Sequence, residues 1–381
     1  MLVATLAGLV LGFVVFVATS RGLTTIQGGR IGGDLPAFYG AGRLVRLGES
    51  RDLYDWRAQR TAQSDLFQTS EQGWIPFSYP PYVAAIYAPL TVLSFKSAYV
   101  AFTILMACCC LGAVALLRPA LAIVRRNILV TVTLTLTFYP VLRAVLGGQN
   151  TAVSLLCAAG AANAMGRGRS LSAGLWVGVW LFKPQLALPV AALLALRTPS
   201  KVRFLSGVAL VAIAYYLLGV FVGGSLWPLW WWREGARPFE SAVRVIDRTN
   251  SISLIELAAG YGVAVLGWCA AVGIAMYVTW LAWRQTLQPV ALVGAACATA
   301  VLIAPHALYY DGGLALIALL ATADLRPTAR DAVIVLWFLA WLQPVRGSLP
   351  VPPITIVTGA ALWLVTTVVP PREWVAPRAP A

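Results

Sequence analysis

Histidine occurs once in this chain of 381 residues, and 28 basic residues stand against only 14 acids. That single histidine, His306, has no carboxylate at ligand spacing, which argues against a zinc site. Cysteine is scarce as well. Cys108, Cys109, Cys110, Cys157, Cys269 and Cys297 all fall inside apolar runs, without metal-site spacing and away from the loops where a disulfide framework would stand, so they read as small packing residues. No fixed-period repeat, low-complexity tract or long flexible linker interrupts the chain, and residues 1–381 read as one domain. Charged residues make up just 11% of the total, too few to coat a soluble domain of this size.

What is present is apolar. With 60% hydrophobic residues and a mean hydropathy of +0.79, the chain holds more apolar surface than one soluble core can hide, and lipid must be its solvent. A crossing needs roughly 20 apolar residues, and backbone groups in hydrocarbon must pair within the segment, so the spans are expected to be helices. Runs such as Val208 to Val222 lack the alternation of a barrel strand. Spans are expected at about 2–19, 97–117, 128–145, 151–165, 203–223, 260–283, 289–304, 308–323, 331–345 and 354–369, with short arms at 171–182 and 185–196 and a half-helix at 82–93. The fold class is therefore an all-α integral membrane protein, a multi-pass bundle of about 10–12 transmembrane or half-spanning helices.

The positive charge follows topology rather than nucleic acid, because the basic residues are scattered between apolar runs with no dense stripe. If Met1 is cytoplasmic, thirteen basic residues, from Arg118, Arg125 and Arg126 through Arg326 and Arg330 to Arg372 and Arg378, face the cytoplasm against the acids Asp324, Asp331 and Glu373. Both termini then read as cytoplasmic. The first stretch lacks a basic n-region and reads as an uncleaved helix rather than a signal peptide. Arg-over-Lys usage with abundant Ala, Gly and Val points to a GC-rich bacterial genome and an inner (plasma) membrane.

Two outer loops are long. The first, about 20–96, carries seven arginines and six acids before Lys96 and is expected to form short surface helices; loops of this length are usually functional. The second, about 224–259, holds Trp227, Trp230, Trp231 and Trp232 and then charges that include Glu240, Arg244, Asp247 and Arg248. Those tryptophans suit an interfacial belt or a grip on a lipid or sugar. Asp34 lies just beyond the first apolar stretch, in Gly32-Gly33-Asp34-Leu35-Pro36, where a carboxylate serves either as a base or as a helix N-cap. At later outer ends stand Arg143 with Gly147-Gly148-Gln149-Asn150, the break Lys183-Pro184-Gln185, His306, Asp311 and Arg346. Charge at a helix break is costly and marks function by default, although Arg143 and Lys183 taken singly also fit snorkelling and His306 fits a bonded helix end. Together these groups are expected to converge on one outer cavity that holds an anion.

The order Gly33-Asp34, Phe38-Tyr39, Leu53-Tyr54-Asp55, Tyr79-Pro80-Pro81 with Pro89-Leu90, Gly148-Gln149-Asn150, Ala173-Gly174, Lys183-Pro184 and Pro305-His306 resembles glycosyltransferase family 87 over about residues 30–315. That family comprises multi-pass GT-C-type enzymes, including polyprenol-phosphate-mannose-dependent mannosyltransferases. The resemblance implies a polyprenyl-phosphate sugar donor in the bilayer and a hydroxyl acceptor on a glycolipid, glycan or protein at the outer face. It further implies Asp34 as general base, inversion at the anomeric carbon, and Arg143, Lys183, His306 and Arg346 on the donor phosphate, with Tyr79, Pro80, Gln149, Asn150, Gln185 and Asp311 lining the pocket. No cofactor or metal is called for: a lipid monophosphate leaves against side-chain cations, and the chain has no Asp-x-Asp pair of the kind that holds Mg²⁺ on a nucleotide diphosphate. The alternative is a transporter or flippase of a lipid-linked sugar or other anion, built on the broken helices at Gly148 and Pro184.

Overall fold

The computed structural model describes residues 2–20, 23–24, 31–66, 74–238, 250–284 and 286–367. Among them the structure is helical without a strand, and Ser251 and Leu308 form an isolated bridge. The expected charges Arg21, Arg30, Glu71, Glu240, Arg244, Asp247, Arg248, Arg372, Glu373 and Arg378 lie outside the described residues.

Helix α1 (Leu2–Ala18) is followed by the short helices of the first loop, α2 (Leu35–Arg46), α3 (Trp56–Ala62) and α4 (Pro81–Tyr87). The bundle continues with α5 (Phe95–Leu117), α6 (Ala122–Arg126), α7 (Ile128–Thr137), α8 (Tyr139–Leu146), α9 (Thr151–Gly166), α10 (Ser170–Val179), α11 (Pro184–Ala195) and α12 (Lys201–Gly223). It closes with α13 (Trp227–Trp230), α14 (Leu254–Gly260), α15 (Ala264–Trp283), α16 (Pro289–Ile303), α17 (Ala315–Leu325), α18 (Arg330–Leu339) and α19 (Pro353–Thr366).

Among the described residues α5, α12 and α15 are long and apolar enough to cross a bilayer, and α7 with α8 makes a fourth candidate bent by 66°. The bend follows from Pro140 in the first turn of α8, whose ring would collide with the carbonyl four residues back in a continuous helix. The remaining apolar helices are shorter. The stretches expected at 289–304 and 354–369 become α16 and α19, of 15 and 14 residues, too short for a full crossing alone. Helix α16 is the axis of the bundle, with every residue from Val290 to Leu302 buried. By contrast, α12 and α15 have only 17% and 22% of their apolar windows buried, so their hydrophobic surface is turned outward to the lipid. Helices α10 and α12 cross at backbone contact, where a Cβ on Gly174 would run into the Phe204 carbonyl and one on Gly207 into that of Leu171.

The bundle has a polar axis. Helices α9, α11 and α17 start beside Asn150, Lys183 and Asp311 and run out into Arg167, Arg197 and Arg326. At that arginine-bearing end Asp324 accepts the Ile123 and Ala122 N–H groups at 2.6 and 3.1 Å, holding the first turn of α6. The opposite end is where Asp34, Gln149, Lys183 and His306 gather.

Candidate active site

Asp34 meets Gln149 because two glycine turns touch backbone to backbone. Gly32, Gly33 and Gly148 have φ values of +81°, +48° and +70°, the left-handed region that other residues enter at a cost. A Cβ on Gly33 would lie 2.5 Å from the Gly147 carbonyl oxygen, and one on Gly148 would lie 2.6 Å from the Leu35 nitrogen and press on the Gly32 carbonyl. With both positions bare, the Asp34 N–H donates to the Gly147 oxygen at 2.8 Å and Gln149 Nε2 donates to Asp34 Oδ2 at 2.5 Å. Asp34 stands at the N-cap of α2, yet its carboxylate makes no capping bond. Pro36 occupies the second helical position and offers no N–H there, the Ala37 N–H is taken by the Asp34 backbone carbonyl at 3.1 Å, and the carboxylate turns into a cavity.

That cavity, of about 500 Å³, has the size of a small-ligand cleft. Asp34, Tyr79, Pro80, Gln149, Lys183, Gln185, His306 and Asp311 line it, joined by Trp56, Arg60, Trp74, Phe182, Trp231 and Tyr310. Gln149 is 4% exposed, and its Oε1 has no hydrogen-bond partner among the described residues. A buried carbonyl oxygen left open in a cavity wall suits a ligand hydroxyl.

Lys183 ends a 3₁₀ turn, Trp180–Phe182, and precedes Pro184 at the head of α11. Its Nζ donates to Asp311 Oδ1 at 2.7 Å, with the two side chains 2% and 7% exposed, and it also sits 5.4 Å from the Tyr310 ring centre. Asp311 Oδ2 accepts the Leu308 N–H at 3.2 Å, so one carboxylate both pairs the lysine and ties the His306–Asp311 turn. Burial pushes the His306 imidazole below its usual range; Asp311 draws it up and Lys183 adds to the fall. Tyr79 is pushed well above the usual phenol range, by burial first and then by the negative charges of Asp311 and Asp34, with Asn150 opposing. Its hydroxyl therefore stays protonated, and both acids act on it from the same cavity.

The first loop builds the remaining wall. Asp55 accepts the Ala58 N–H at 2.7 Å and caps α3, while the Tyr54 hydroxyl donates to the Tyr79 carbonyl at 2.8 Å. Gln59 in α3 and Gln63 at its C-cap, both buried and four residues apart, clamp the extended segment after Trp74. Their side-chain oxygens accept the Phe77 and Ile75 N–H groups at 2.8 and 3.1 Å, and the Gln63 amide donates to the Ile75 carbonyl at 2.9 Å. Trp231, from the second outer loop, donates through Nε1 to the Ser78 carbonyl at 2.8 Å. Sequence reasoning passed over Gln59 and Gln63, whose legible signal was a pair of amides at helical spacing beside an aromatic-proline turn.

Of the four cations expected to converge, two stand on the cavity wall. Lys183 and His306 line the cavity, whereas Arg143 and Arg346 do not. Helix α8 turns Ala144 and Val145 inward at the glycine contact, which leaves Arg143 on the exposed side against the Tyr309 hydroxyl. Arg346, in the 3₁₀ turn Ala340–Ser348, acts on Tyr139, whose ring packs on Trp341 and Tyr309 behind the His306–Asp311 turn. Asn150 also leaves the cavity. It lies beside Tyr79 and Tyr87 and faces a separate apolar groove of about 410 Å³ lined by Ile86, Leu90, Phe102, Leu105, Met106, Val153 and Phe182. Phe182 is common to the groove and the cavity, and Ile86 and Leu105 on the groove are exposed.

An apolar groove abutting a cavity that holds one carboxylate that does no capping and one buried ammonium is an arrangement suited to an amphiphilic substrate. No curated protein matches the chain. The model of glycosyltransferase family 87, a membrane family of sugar-transferring enzymes, matches residues 77–305, more than half of the sequence and the whole stretch from Phe77 through Lys183 to the edge of His306. The chain belongs to glycosyltransferase family 87.

Proposed function

We propose that this glycosyltransferase moves a hexose, mannose being the family's known cargo, from a polyprenyl-phosphate donor to an acceptor hydroxyl at the outer face of a bacterial inner membrane. Both termini are then cytoplasmic, in keeping with the arginine-bearing helix ends opposite the cavity. The observation that carries the reading is the shared wall at Phe182: an apolar groove suited to an isoprenoid lies against a cavity that holds both a carboxylate and a lysine.

In the proposed reaction the acceptor oxygen attacks the anomeric carbon as Asp34 removes its proton, and the bond from that carbon to the phosphate oxygen breaks with its electron pair on the phosphate. Gln149 orients the carboxylate through the Nε2 bond. Lys183 and His306 face the leaving phosphate; Asp311 positions the lysine, and the half-buried neutral imidazole serves as a hydrogen-bond donor. A single carboxylate acting as base implies inversion, since retention usually recruits a second carboxyl as nucleophile. Lys183 stands in place of the four-cation clamp, with Arg143 and Arg346 outside the cavity wall.

The test is a radiolabelled polyprenyl-phosphate-sugar assay on membranes carrying the full chain. Wild-type protein should release label from the carrier onto an acceptor, and Asp34→Asn should abolish transfer while the protein stays folded and inserted. Movement of intact carrier across the bilayer without release of label would identify a flippase instead. Near-normal turnover of Asp34→Asn would remove Asp34 from the mechanism.

A further inference from the structure

Resting on the transferase reading, we infer that Trp56, Trp74 and Arg60 form a sugar-binding subsite for the acceptor, and that the acceptor is itself a glycoside. The three residues lie N-terminal to the matched segment 77–305, as Asp34 does, and line the same cavity as Asp34 without touching the apolar groove.

The geometry is that of a carbohydrate platform. Trp56 and Trp74 stand edge to face, with ring centres 5.6 Å apart at 65°, and the Arg60 guanidinium lies 5.6 Å from the Trp74 ring centre. Trp56 and Arg60 are four residues apart on α3 and so share a helix face. Trp56 is 41% exposed although it borders a cavity, which leaves indole surface open to a ligand. A pyranose presents one face of C–H groups that covers an indole and a rim of hydroxyls that a planar guanidinium can bind. A flexible alkyl alcohol has no such rim.

The platform is held firmly. Asp55 caps α3 immediately before Trp56, and the Gln63 clamp on Ile75 fixes the residue after Trp74. Two sites thus border the cavity: the groove that shares Phe182 with it, and the tryptophan pair on the first loop. A donor in the first and a glycoside on the second would bring the two reactants to Asp34 from different elements.

An interfacial belt is the competing use of exposed tryptophan. It makes different predictions. The full chain in lipid nanodiscs is assayed with a polyprenyl-phosphate-mannose donor and methyl α-mannotrioside, with a peptide bearing serine and threonine as the other acceptor arm. Trp56→Leu and Trp74→Leu should each raise the KM for the trioside about tenfold or more at an unchanged donor KM, while Trp56→Phe and Trp74→Phe stay within about threefold of wild type. Arg60→Gln should raise the same KM.

Transfer to the peptide but not to the trioside, an unchanged acceptor KM in the leucine variants, or equal rises for donor and acceptor would overturn the subsite while leaving the transferase reading intact. Absence of release from the donor under every condition would instead count against the transferase reading. Saturation-transfer NMR of the trioside on the nanodisc-bound protein then decides the subsite alone. Signal lost in the leucine variants supports it, and equal signal in wild type and variants refutes it.

Discussion

Substituting Gly148 by alanine tests whether the contact between the two glycine turns builds the site. The position has φ +70°, so a side chain there costs about 1 kcal/mol in left-handed backbone strain. The new Cβ would also fall 2.6 Å from the Leu35 nitrogen and 2.6 Å from its Cβ, and against the Gly32 carbonyl. Backbone atoms cannot rotate away as a side-chain tip can, so overpacking adds about 1–3 kcal/mol. The expected loss is therefore about 2–4 kcal/mol. Gly168 supplies the control, since it has φ +67° but nothing within 4 Å of where a Cβ would stand. Gly168→Ala should lose only the backbone strain of about 1 kcal/mol and keep its activity. Gly148→Ala should lose sugar transfer as well, because relief of the clash moves Asp34 away from Gln149. Denaturant unfolding in detergent and the transfer assay, run on both variants, measure the difference. Equal destabilisation of the two, or full activity in Gly148→Ala, would refute the claim that this approach sets the carboxylate.

Three other expectations follow from the same geometry. Lys183→Met leaves Asp311 as a buried unpaired acid and should destabilise the protein by about 3–5 kcal/mol, read as a lower unfolding midpoint, with Lys183→Met/Asp311→Asn recovering part of the loss. The recovery should be incomplete, because Asp311 also accepts the Leu308 N–H. His306, held neutral by burial, contributes stability that is present above its ordinary value of about 6.5 and is lost as pH falls through its lowered folded value; unfolding midpoints between pH 8 and pH 5 should fall more for wild type than for His306→Gln. Asp34→Asn, which keeps a partner for the Gln149 amide, should unfold within about 1 kcal/mol of wild type while transfer disappears.

Membrane class, helical content and the polarity of the chain were readable because they rest on sums over many residues: apolar run length and the placement of arginines. The site was readable in part. Asp34, Tyr79, Gln149, Lys183, His306 and Asp311 come together because each stands at a glycine turn, a proline break or a helix end, and those punctuation marks are local. Arg143 and Arg346 stand off the cavity wall because the facing of a residue at a helix end depends on which side of the helix packs. At α8 that side is chosen by the contacts of Gly33 with Gly147 and of Gly148 with Gly32, made between segments far apart in the chain. Trp56 and Trp74 were hidden for a similar reason. The clamp made by Gln59 and Gln63 ties the extended segment to α3 and sets the two rings together.

The charges that remain in the cavity suit the proposed chemistry better than the expected clamp of four cations. Asp34 and Asp311 stand against Lys183 and Arg60, with His306 held neutral by burial, so the lining is balanced before any substrate enters. A donor phosphodiester brings one negative charge, and transfer converts it to a monoester that carries nearly two. Over the same step Asp34 takes a proton from the acceptor and loses its charge. The total is unchanged, and one negative charge has in effect moved from the Asp34–Gln149 wall to the Lys183–His306 wall. A cluster of four unpaired cations would bind the monoester product more tightly than the diester substrate and slow its release. In the proposed reaction a lysine already shared with Asp311 would moderate that grip, and the buried ion pair would then serve turnover as well as folding.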